Sequence, residues 1–513
     1  MDYKKAFDTV NLNLLLYKLA NIGIHGSMYK VISAMYVCPR ARVILQNNCT
    51  EYFDCPMGVK QGDCLSPTLF SIYVNDLANE IKNSQIGVKI DLEGIHDLDL
   101  DSFTLSLLLY ADDIVLLAET EEDMQSLLLI VQNWCQKWRL EVNLEKTNIL
   151  HVRNKRKPQS RFMFLFNCRP VPYCQDYKYL GCTINEFFDY SFTVNKLVES
   201  ASRALGALIT KMAKNKGFPY AIFSKLYETC VSSISMYGGE VFGYAHYDSL
   251  LRLQLRAARS FLGIPKNIAS YGIVSELDWL LPNYQTQVKM IRFLGRLFRI
   301  PSTRLLHKIF QWDLNMNENV GLKTWSSEVK EICQLHNMLP IFQQQVAFPT
   351  RSVIDSLKSS MLSNQLQLVE HECRLKPKLR TFNIFKDFTR IPPHVGKPLT
   401  FIERKTLSKL RLGVLPLRIE TARFTRPVLP ESQRFCYCNS GEIETEYHLL
   451  FECQKYSGER EAWFVKMNIP QNFSNLPAKN QLQLVLNEPD SVRHTAQYLV
   501  KVMDSRSLLN KLY

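Results

Sequence analysis

The chain has 513 residues, 46% of them hydrophobic and 22% charged, which is an ordinary composition for a globular protein with several domains. Its 62 basic and 49 acidic residues give a formal net charge of +13, which favours a polyanionic partner such as nucleic acid. A basic surface that serves only solubility is the alternative. No apolar run is long enough to span a membrane, and the first residues lack the apolar segment of a signal peptide. We therefore expect an intracellular protein, nuclear or cytoplasmic, that keeps its 14 cysteines reduced.

The N-terminal part of the chain has clear local patterns. An amphipathic helix is predicted after Asp2, and the apolar pattern of residues 40–53 predicts a β-hairpin. Residues 57–66 predict a loop that contains two glycines, and Ser66 followed by Pro67 predicts the N-cap and first turn of a helix. Because no strand-like segment precedes Asp2, we expect the chain to begin inside a domain.

Residues 105–118 consist of two apolar runs on either side of adjacent carboxylates, Asp112 and Asp113. The runs predict two strands, and the residues between them predict a hairpin turn. Burying a carboxylate without a partner is strongly unfavourable, whereas a divalent cation such as Mg²⁺ takes carboxylate oxygens as ligands. For this pair alone, a metal site and a solvated hairpin tip both remain open. With Asp2 added, the residues suit a two-metal site for phosphoryl transfer, provided that folding brings all three together.

The later part of the chain is mainly helical in pattern. Residues 120–123 resemble a capping box at the start of a helix, and a strand is predicted at 148–152. A strand or hairpin with a glycine kink is predicted at 177–184. Helical periodicity then extends from residue 192 to about residue 300, and residues 302–400 also favour helices.

A compact group of cysteine and histidine residues lies near the C-terminus. Cys436 and Cys438 are followed by His448 and Cys453, and side chains of these types suit a tetrahedral structural Zn²⁺ ion. The single residue between the first two cysteines is fewer than zinc units usually have, and it is expected to strain their joint ligation. Three buried thiols and a surface histidine are the alternative interpretation.

Five short motifs resemble motifs A to E of reverse transcriptases, in the same order. They are Asp2-Tyr-Lys-Lys-Ala-Phe-Asp8, Gly58-Val-Lys-Gln-Gly-Asp-Cys-Leu-Ser-Pro67, Tyr110-Ala-Asp-Asp113, Leu144-Glu-Lys146-Thr and Tyr179-Leu-Gly181. Each motif is weak by itself, but their order over residues 2–181 is specific. The family that the chain resembles most is that of the non-LTR (LINE-type) retrotransposon reverse transcriptases. The Cys/His group resembles the CCHC motif that follows the polymerase domain in many of these elements.

This resemblance implies a role for each site residue. Asp2, Asp112 and Asp113 would hold two Mg²⁺ ions, and Lys146 would lie near the leaving pyrophosphate as a candidate proton donor. Asp8 would be structural. The remaining roles would be contacts with the incoming nucleotide for Phe7, Gln61, Gly62, Tyr110 and Ala111, and the primer grip for Tyr179, Leu180 and Gly181. Phe7 matches the steric gate that rejects a ribose 2′-OH, with core packing as its alternative, and an ordinary exposed lysine is the alternative for Lys146.

The implied fold class is α+β, a partial reverse-transcriptase right hand followed by a mainly helical C-terminal region with a small zinc unit. The implied parts are a palm with an antiparallel sheet but no fingers (1–190), a helical thumb (191–300), a helical linker region (301–425), a CCHC zinc-knuckle-like unit (426–460) and a C-terminal helical tail (461–513). Basic thumb residues would neutralise phosphates of the template–primer duplex; these residues are Lys196, Arg203, Lys211, Lys214 and Lys216. For each of them, a position on a solvated helix face is the alternative.

The resulting hypothesis is a fragment of an RNA-directed DNA polymerase that transfers nucleotides to a primer 3′-OH. Its partners would be an RNA template, a DNA primer and dNTPs, without a membrane. Because the fingers region would lie upstream of motif A, we expect this chain by itself to have weak or no activity. A non-catalytic nucleic-acid-binding relic of such an element is the alternative, and the LINE-like Cys/His unit argues against a group II intron maturase.

Overall fold

A computed structural model describes the chain apart from residues 38, 47, 92–101, 278, 345–350, 389–391 and 510–513. Within the described residues, the helices are α1 (Leu12–Asn21), α2 (Gly26–Tyr36), α3 (Ser66–Ser84), α4 (Glu121–Trp138), α5 (Tyr190–Lys214), α6 (Tyr220–Tyr227), α7 (Ser233–Ser235), α8 (Gly239–Phe242), α9 (Asp248–Leu262), α10 (Ser270–Leu277), α11 (Pro282–Leu297), α12 (Leu305–Glu318), α13 (Trp325–Leu335), α14 (Leu339–Gln344), α15 (Arg351–Arg374), α16 (Arg380–Phe385), α17 (Pro393–Gly396), α18 (Phe401–Arg411), α19 (Arg418–Thr421), α20 (Ser457–Lys466), α21 (Ala478–Leu486) and α22 (Ser491–Leu509). None of these described helices has the length and apolar character needed to cross a bilayer.

The strands are short and pair two by two. They are β1 (Arg40–Ala41), β2 (Ile44–Leu45), β3 (Asn48–Cys49), β4 (Phe53–Asp54), β5 (Val88–Ile90), β6 (Phe103–Leu105), β7 (Leu107–Tyr110), β8 (Asp113–Leu116), β9 (Ile149–Leu150), β10 (Leu165–Phe166), β11 (Arg169–Pro170), β12 (Tyr173–Cys174), β13 (Asp176–Tyr179) and β14 (Cys182–Asn185). The pairs are β1–β4, β2–β3, β5–β6, β7–β8, β10–β11 and β13–β14, all antiparallel, and the parallel pair β9–β12.

The chain divides into two compact units, one made of residues 1–189 with 302–322 and the other of residues 190–301 with 323–513. The first unit contains both helices and strands, whereas the second is helical, with a small Cys/His cluster. The division into five regions stays a prediction, because the two units do not separate a linker or a tail from the rest of the second unit.

The core of the first unit is formed by one face each of α1, α3 and α4. Leu15, Phe70, Leu77 and Trp134 are almost completely buried there. Apolar residues at spacings of three and four place these side chains on one side of each helix. Ser66 is the first residue of α3 rather than its predicted N-cap, and its hydroxyl donates to the carbonyl of Lys60 instead of accepting from an amide of the first helical turn.

The first residues of the chain run as a strand beside the β7–β8 hairpin. Asp2 forms an antiparallel bridge with Asp113, and the amide of Ile114 donates to the carbonyl of Met1 at 3.0 Å. On the other side, the amide of Asn143 donates to the carbonyl of Asp2 at 2.8 Å. Asp2 therefore lies between β8 and the segment that follows α4.

The second unit has one continuous hydrophobic core that draws on helices from α5 to α22. It includes Leu205, Phe261, Leu410 and Leu499, and it reaches Cys436 in the Cys/His cluster. The core also contains a buried ion cluster around Glu276. The guanidinium of Arg411 donates to both oxygens of this carboxylate at 2.7 and 3.0 Å, and Nε2 of His394 lies 3.1 Å from it. Because Arg411, His394 and Glu276 are fully buried, this contact network contributes to the packing of the unit rather than to its surface.

Candidate functional site

The three carboxylates singled out in the sequence converge at one end of the β7–β8 hairpin. Tyr110 pairs with Asp113 across the two strands, so Ala111 and Asp112 form the two-residue turn. Ala111 adopts a left-handed conformation with φ of 52°, as such tight hairpin turns require. The antiparallel bridge from Asp113 to Asp2 then sets the third carboxylate beside the pair. The sequence prediction that these residues meet is therefore consistent with the fold, although their chemical role stays a prediction.

Like charges accumulate at this cluster. Burial raises the pKa of Asp113, and the neighbouring carboxylates of Asp112 and Asp2 raise it further. The Asp2 side chain is only 15% exposed, and its Oδ2 atom lies 3.0 Å from the ammonium group of Lys146. This hydrogen bond to Asp2 raises the pKa of Lys146, which keeps the lysine protonated. The cluster thus holds three carboxylates near two cations, the α-ammonium group of Met1 and the ammonium group of Lys146, whose charges lower the pKa of Asp113.

The chemistry of these three side chains suits a divalent metal ion, whereas the Cys/His group is the only set of described residues whose ligand atoms are already gathered as in a metal site. All three side chains offer carboxylate oxygens, which Mg²⁺ prefers. The raised pKa of Asp113 means that placing these carboxylates together is unfavourable without added positive charge. A divalent cation would supply that charge.

The loop of motif B packs directly against the loop that follows motif A. The amide of Val59 donates to the carbonyl of Phe7 at 2.8 Å, and the Gln61 side chain donates to Asp8 at 3.0 Å. Gly58 has φ of +90°, and a Cβ atom there would lie 2.8 Å from the backbone oxygen of Asp8. Gly62 also has positive φ, at +83°, but faces open space. Close approach of the two loops therefore requires glycine at 58, and exposed backbone is available at 62.

Phe7 is half-buried and stacks on Phe70, with ring centroids 4.8 Å apart. Core packing of Phe7 is thus observed. Its role as a steric gate stays a prediction, since a ring held firmly by Phe70 could serve both purposes.

The predicted primer-grip residues form the tip of the β13–β14 hairpin. Tyr179 pairs with Cys182, and the turn residues Leu180 and Gly181 both have positive φ, 45° and 86°. Burial raises the pKa of Tyr179, and so does the charge of Asp113, which places this hairpin within electrostatic reach of the carboxylates.

Tyr177 is a residue of this site that the sequence analysis missed. Its hydroxyl donates to the carbonyl of Lys146 at 3.4 Å. Burial raises its pKa, followed by the charges of Asp113 and Asp2. The signal was present in the sequence, because Tyr177 and Tyr179 are two residues apart on one strand and so face the same side.

The four predicted zinc ligands also converge. The ligand atoms of Cys436, Cys438, His448 and Cys453 all lie within 4.8 Å of one another. The Sγ atoms of Cys436 and Cys453 are 3.8 Å apart, and Sγ of Cys438 lies 3.4 Å from Nε2 of His448. The single residue between the first two cysteines does not prevent this, because the chain reverses within a few residues, as shown by the Phe435–Ile443 bridge.

Further contacts orient the histidine of this cluster. Nδ1 of His448 lies 3.3 Å from the carboxylate of Glu452, which leaves Nε2 directed at the thiols. Zinc-ligating histidines commonly bond a carboxylate in this way. His448 is buried, so the alternative of a surface histidine is wrong.

The predicted basic residues of α5 differ in their surroundings. The ammonium group of Lys196 lies 3.9 Å from Glu199, and the Arg203 side chain donates to Ser200. Lys211, Lys214 and Lys216 are exposed. Their contact with a nucleic-acid duplex stays a prediction.

Comparisons with known proteins agree with the motif order. Residues 1–184 match the family model of reverse transcriptases (RNA-dependent DNA polymerases). The RNA-directed DNA polymerase from mobile element jockey of Drosophila melanogaster is 22% identical over 274 residues, which is 52% of this chain and 28% of that protein. Its counterpart from Drosophila funebris is 26% identical over 306 residues, covering 57% of this chain and 31% of the relative. The Pol polyprotein of the type-1 retrotransposable element R2 from Popillia japonica is 26% identical over 191 residues, covering 36% and 30%.

The chain spans only 28 to 31% of the length of these curated relatives. The family match includes every predicted residue of the carboxylate cluster and its surrounding loops, and it ends before the helical second unit. Residues 1–184 therefore match the reverse transcriptase family model, and the chain is similar to the RNA-directed DNA polymerases of non-LTR retrotransposons.

Proposed function

We propose that the carboxylate cluster is the nucleotidyl-transfer centre of an RNA-directed DNA polymerase, with Asp2, Asp112 and Asp113 as ligands of two Mg²⁺ ions. The observation that carries the proposal is the bridge between Asp2 and Asp113, which unites a residue at the start of the chain with a distant hairpin. Bound at this cluster, the ions would stabilise the attacking and leaving oxygens of an in-line displacement. The partners would be an RNA template, a DNA primer and dNTPs, in a right-hand arrangement with the first unit as palm.

The surrounding residues would position the substrates. Lys146, held protonated by Asp2, would carry a proton close to the departing pyrophosphate. The exposed backbone at Gly62 would allow close approach of the incoming nucleotide, and the Phe7 ring, fixed by Phe70, would occupy the space of a ribose 2′-OH. The tip of the β13–β14 hairpin would hold the primer end near Asp113.

Direct metal binding tests the ligand set without requiring turnover. We would titrate the full chain with Mn²⁺, which shares the oxygen preference of Mg²⁺, and follow free Mn²⁺ by electron paramagnetic resonance. The Asp113→Asn variant should lose most of this binding, because it removes a charged ligand. The matched control is Asp8→Asn, since Asp8 accepts from Gln61 and is not a proposed ligand. Equal Mn²⁺ affinity in the wild type and Asp113→Asn would refute the metal site.

Primer extension tests the chemistry. An oligo(dT) primer on poly(rA) is incubated with excess protein, Mg²⁺ and dTTP, and single-nucleotide addition is scored so that a slow reaction is also detected. Addition should be abolished by Asp113→Asn and retained by Asp8→Asn. Nucleic-acid binding without any metal-dependent addition by the wild type would instead favour the non-catalytic relic.

For the second metal centre we propose a structural Zn²⁺ ion held by Cys436, Cys438, His448 and Cys453. Thiolate and imidazole ligands are those that zinc prefers in closed, four-coordinate sites. Two of these residues, Cys436 and Cys453, belong to the core of the second unit, which supports a structural role.

A further inference from the structure

A cavity of 880 Å³ lies within the second unit, and none of the proposed metal ligands lines it. Its walls are the C-terminal ends of α5 and α9 and the first residue of α18, Phe401. These elements approach closely, since a Cβ atom at Gly263 would lie 2.8 Å from the Lys405 side chain and one at Gly217 would lie 3.4 Å from Phe401. The cavity is therefore part of the fold of this unit and not a gap between the two units.

The charge of this cavity has one sign. Arg252, Arg256 and Arg259 are spaced four and three residues apart along α9, so they share one face of the helix. Lys216 and Lys266 add two further cations, and the described residues that line the cavity include no aspartate or glutamate. None of the five cations has an ion-pair partner among the described residues within 4.0 Å. Five positive charges along one cavity repel one another and attract a polyanion.

Two guanidinium groups near the cavity each have one buried nitrogen without a hydrogen-bond acceptor, although Arg404 also donates to the carbonyls of Phe261 and Phe218. Nε of Arg259 is buried without a partner. Arg404 is 3% exposed and its Nη2 atom is also unpartnered; this atom lies 3.6 Å from the Cβ position of Gly217, which lines the cavity. Buried donors are normally satisfied, so the unpartnered nitrogens of Arg259 and Arg404 are available to an acceptor that enters from the cavity.

The rest of the lining is apolar. Ile209, Met212, Ile264, Pro265 and Phe401 form most of it. An inorganic anion would use the arginines but not this surface, whereas a nucleobase has a flat face that can stack on the aromatic ring of Phe401. Bases that are paired inside a duplex cannot reach it.

We propose that this cavity, which we call the α9 groove, binds an unpaired stretch of polynucleotide. Its phosphates would contact Arg252, Arg256 and Arg259, and at least one unstacked base would pack on Met212, Ile264 and Phe401. The α9 groove is a binding site separate from the carboxylate cluster, so it does not depend on polymerase activity.

The test is binding of labelled 15-nucleotide oligo(U) and oligo(dT) to the full chain, followed by fluorescence anisotropy over a range of salt concentrations. The groove variant is Arg252→Gln/Arg256→Gln, in which two exposed side chains are changed. The matched control, Lys479→Gln/Arg493→Gln, removes the same charge from exposed positions of the same unit outside the cavity. The RNA and DNA oligonucleotides show whether the sugar matters.

Each phosphate contact contributes about 0.7 to the slope of log K against the logarithm of the salt concentration for single strands. Losing two contacts should therefore reduce this salt slope by about 1.4 and weaken binding about 25-fold at 0.1 M salt. The control should change binding little. The Phe401→Leu variant should weaken single-strand binding several-fold without changing the slope, because it alters the apolar surface alone.

Three results would overturn the proposal: no oligonucleotide binding by the wild type, equal loss in groove and control variants, or tighter binding of a 15-base-pair duplex that falls equally in the groove variant. The Asp113→Asn variant separates this proposal from the polymerase proposal. It should keep oligonucleotide binding and lose nucleotide addition, so failure of one proposal is distinguishable from failure of the other.

Discussion

Replacing Cys438 by serine should abolish stoichiometric zinc binding, and the geometry of the cluster sets the expected metal environment. A tetrahedral Zn²⁺ ion with Zn–S bonds of about 2.3 Å requires sulfur atoms about 3.8 Å apart. The Sγ atoms of Cys436 and Cys453 have this separation, 3.8 Å. With a Zn–N bond of about 2.05 Å, the mixed edge is about 3.6 Å. The separation of Sγ of Cys438 and Nε2 of His448 is 3.4 Å.

The assay is metal analysis of the purified full chain, followed by X-ray absorption at the zinc edge. We expect one zinc per chain, with three sulfur ligands at about 2.3 Å and one nitrogen at about 2.0 Å. The control is Cys230→Ser, an exposed cysteine of the same unit that should leave the zinc content unchanged. A graded variant is Glu452→Gln, which removes the carboxylate beside His448 and should weaken zinc binding about 10- to 100-fold while keeping all four ligands.

Zinc should also stabilise the second unit. At a free concentration 100 times its Kd, the ion adds about 2.7 kcal/mol to the free energy of unfolding. A chelator should therefore lower the denaturation midpoint of the wild type but not that of Cys438→Ser. A wild-type chain that purifies without zinc and whose midpoint does not respond to added zinc would show that the cluster is only a set of buried thiols and a histidine.

Three further predictions concern stability and the site. Gly58→Ala should lower the free energy of unfolding by about 1–3 kcal/mol, because residue 58 has φ of +90° and its Cβ atom would lie 2.8 Å from backbone. Gly62→Ala should lower it less, because residue 62 also has positive φ but faces open space; urea denaturation measures both changes. Glu276→Gln should destabilise the second unit by about 3–5 kcal/mol, since it leaves Arg411 buried without its carboxylate; faster hydrogen exchange in α10 would verify this, and unchanged protection would contradict it. Burial lowers the pKa of Lys18 to about 8, so the folded chain releases this proton at a lower pH than the unfolded chain does. The free energy of unfolding of the wild type should therefore rise, relative to that of Lys18→Met, by about 3 kcal/mol between about pH 8 and 10.5. A pH-independent difference would show that Lys18 titrates normally.

Sequence reasoning was most successful where the signal is local. Residues 120–123 predicted the start of α4, and Thr120 caps this helix by accepting from the amide of Asp123, as expected. The prediction was less successful at the start of α3, where the hydroxyl of Ser66 bonds the preceding loop instead of capping the helix. Tyr177 was missed although its spacing from Tyr179 places both residues on one side of the strand; that this side lies near the carboxylates depends on how the β13–β14 hairpin packs.

The sequence by itself predicted the similarity of residues 1–184 to reverse transcriptases, which the family match supports, and the helical character of the C-terminal part; it also singled out the candidate metal ligands. The order of the motifs and the spacing of apolar residues carry this information, because both can be read from residues that are close together in the sequence. Only the tertiary structure decided that Asp2 pairs with Asp113, that Lys146 contacts Asp2, and that cations from α9 and Lys216 share one cavity. These relations join residues far apart in sequence, and they depend on strand register and helix packing, which the folded chain fixes only when its cores form.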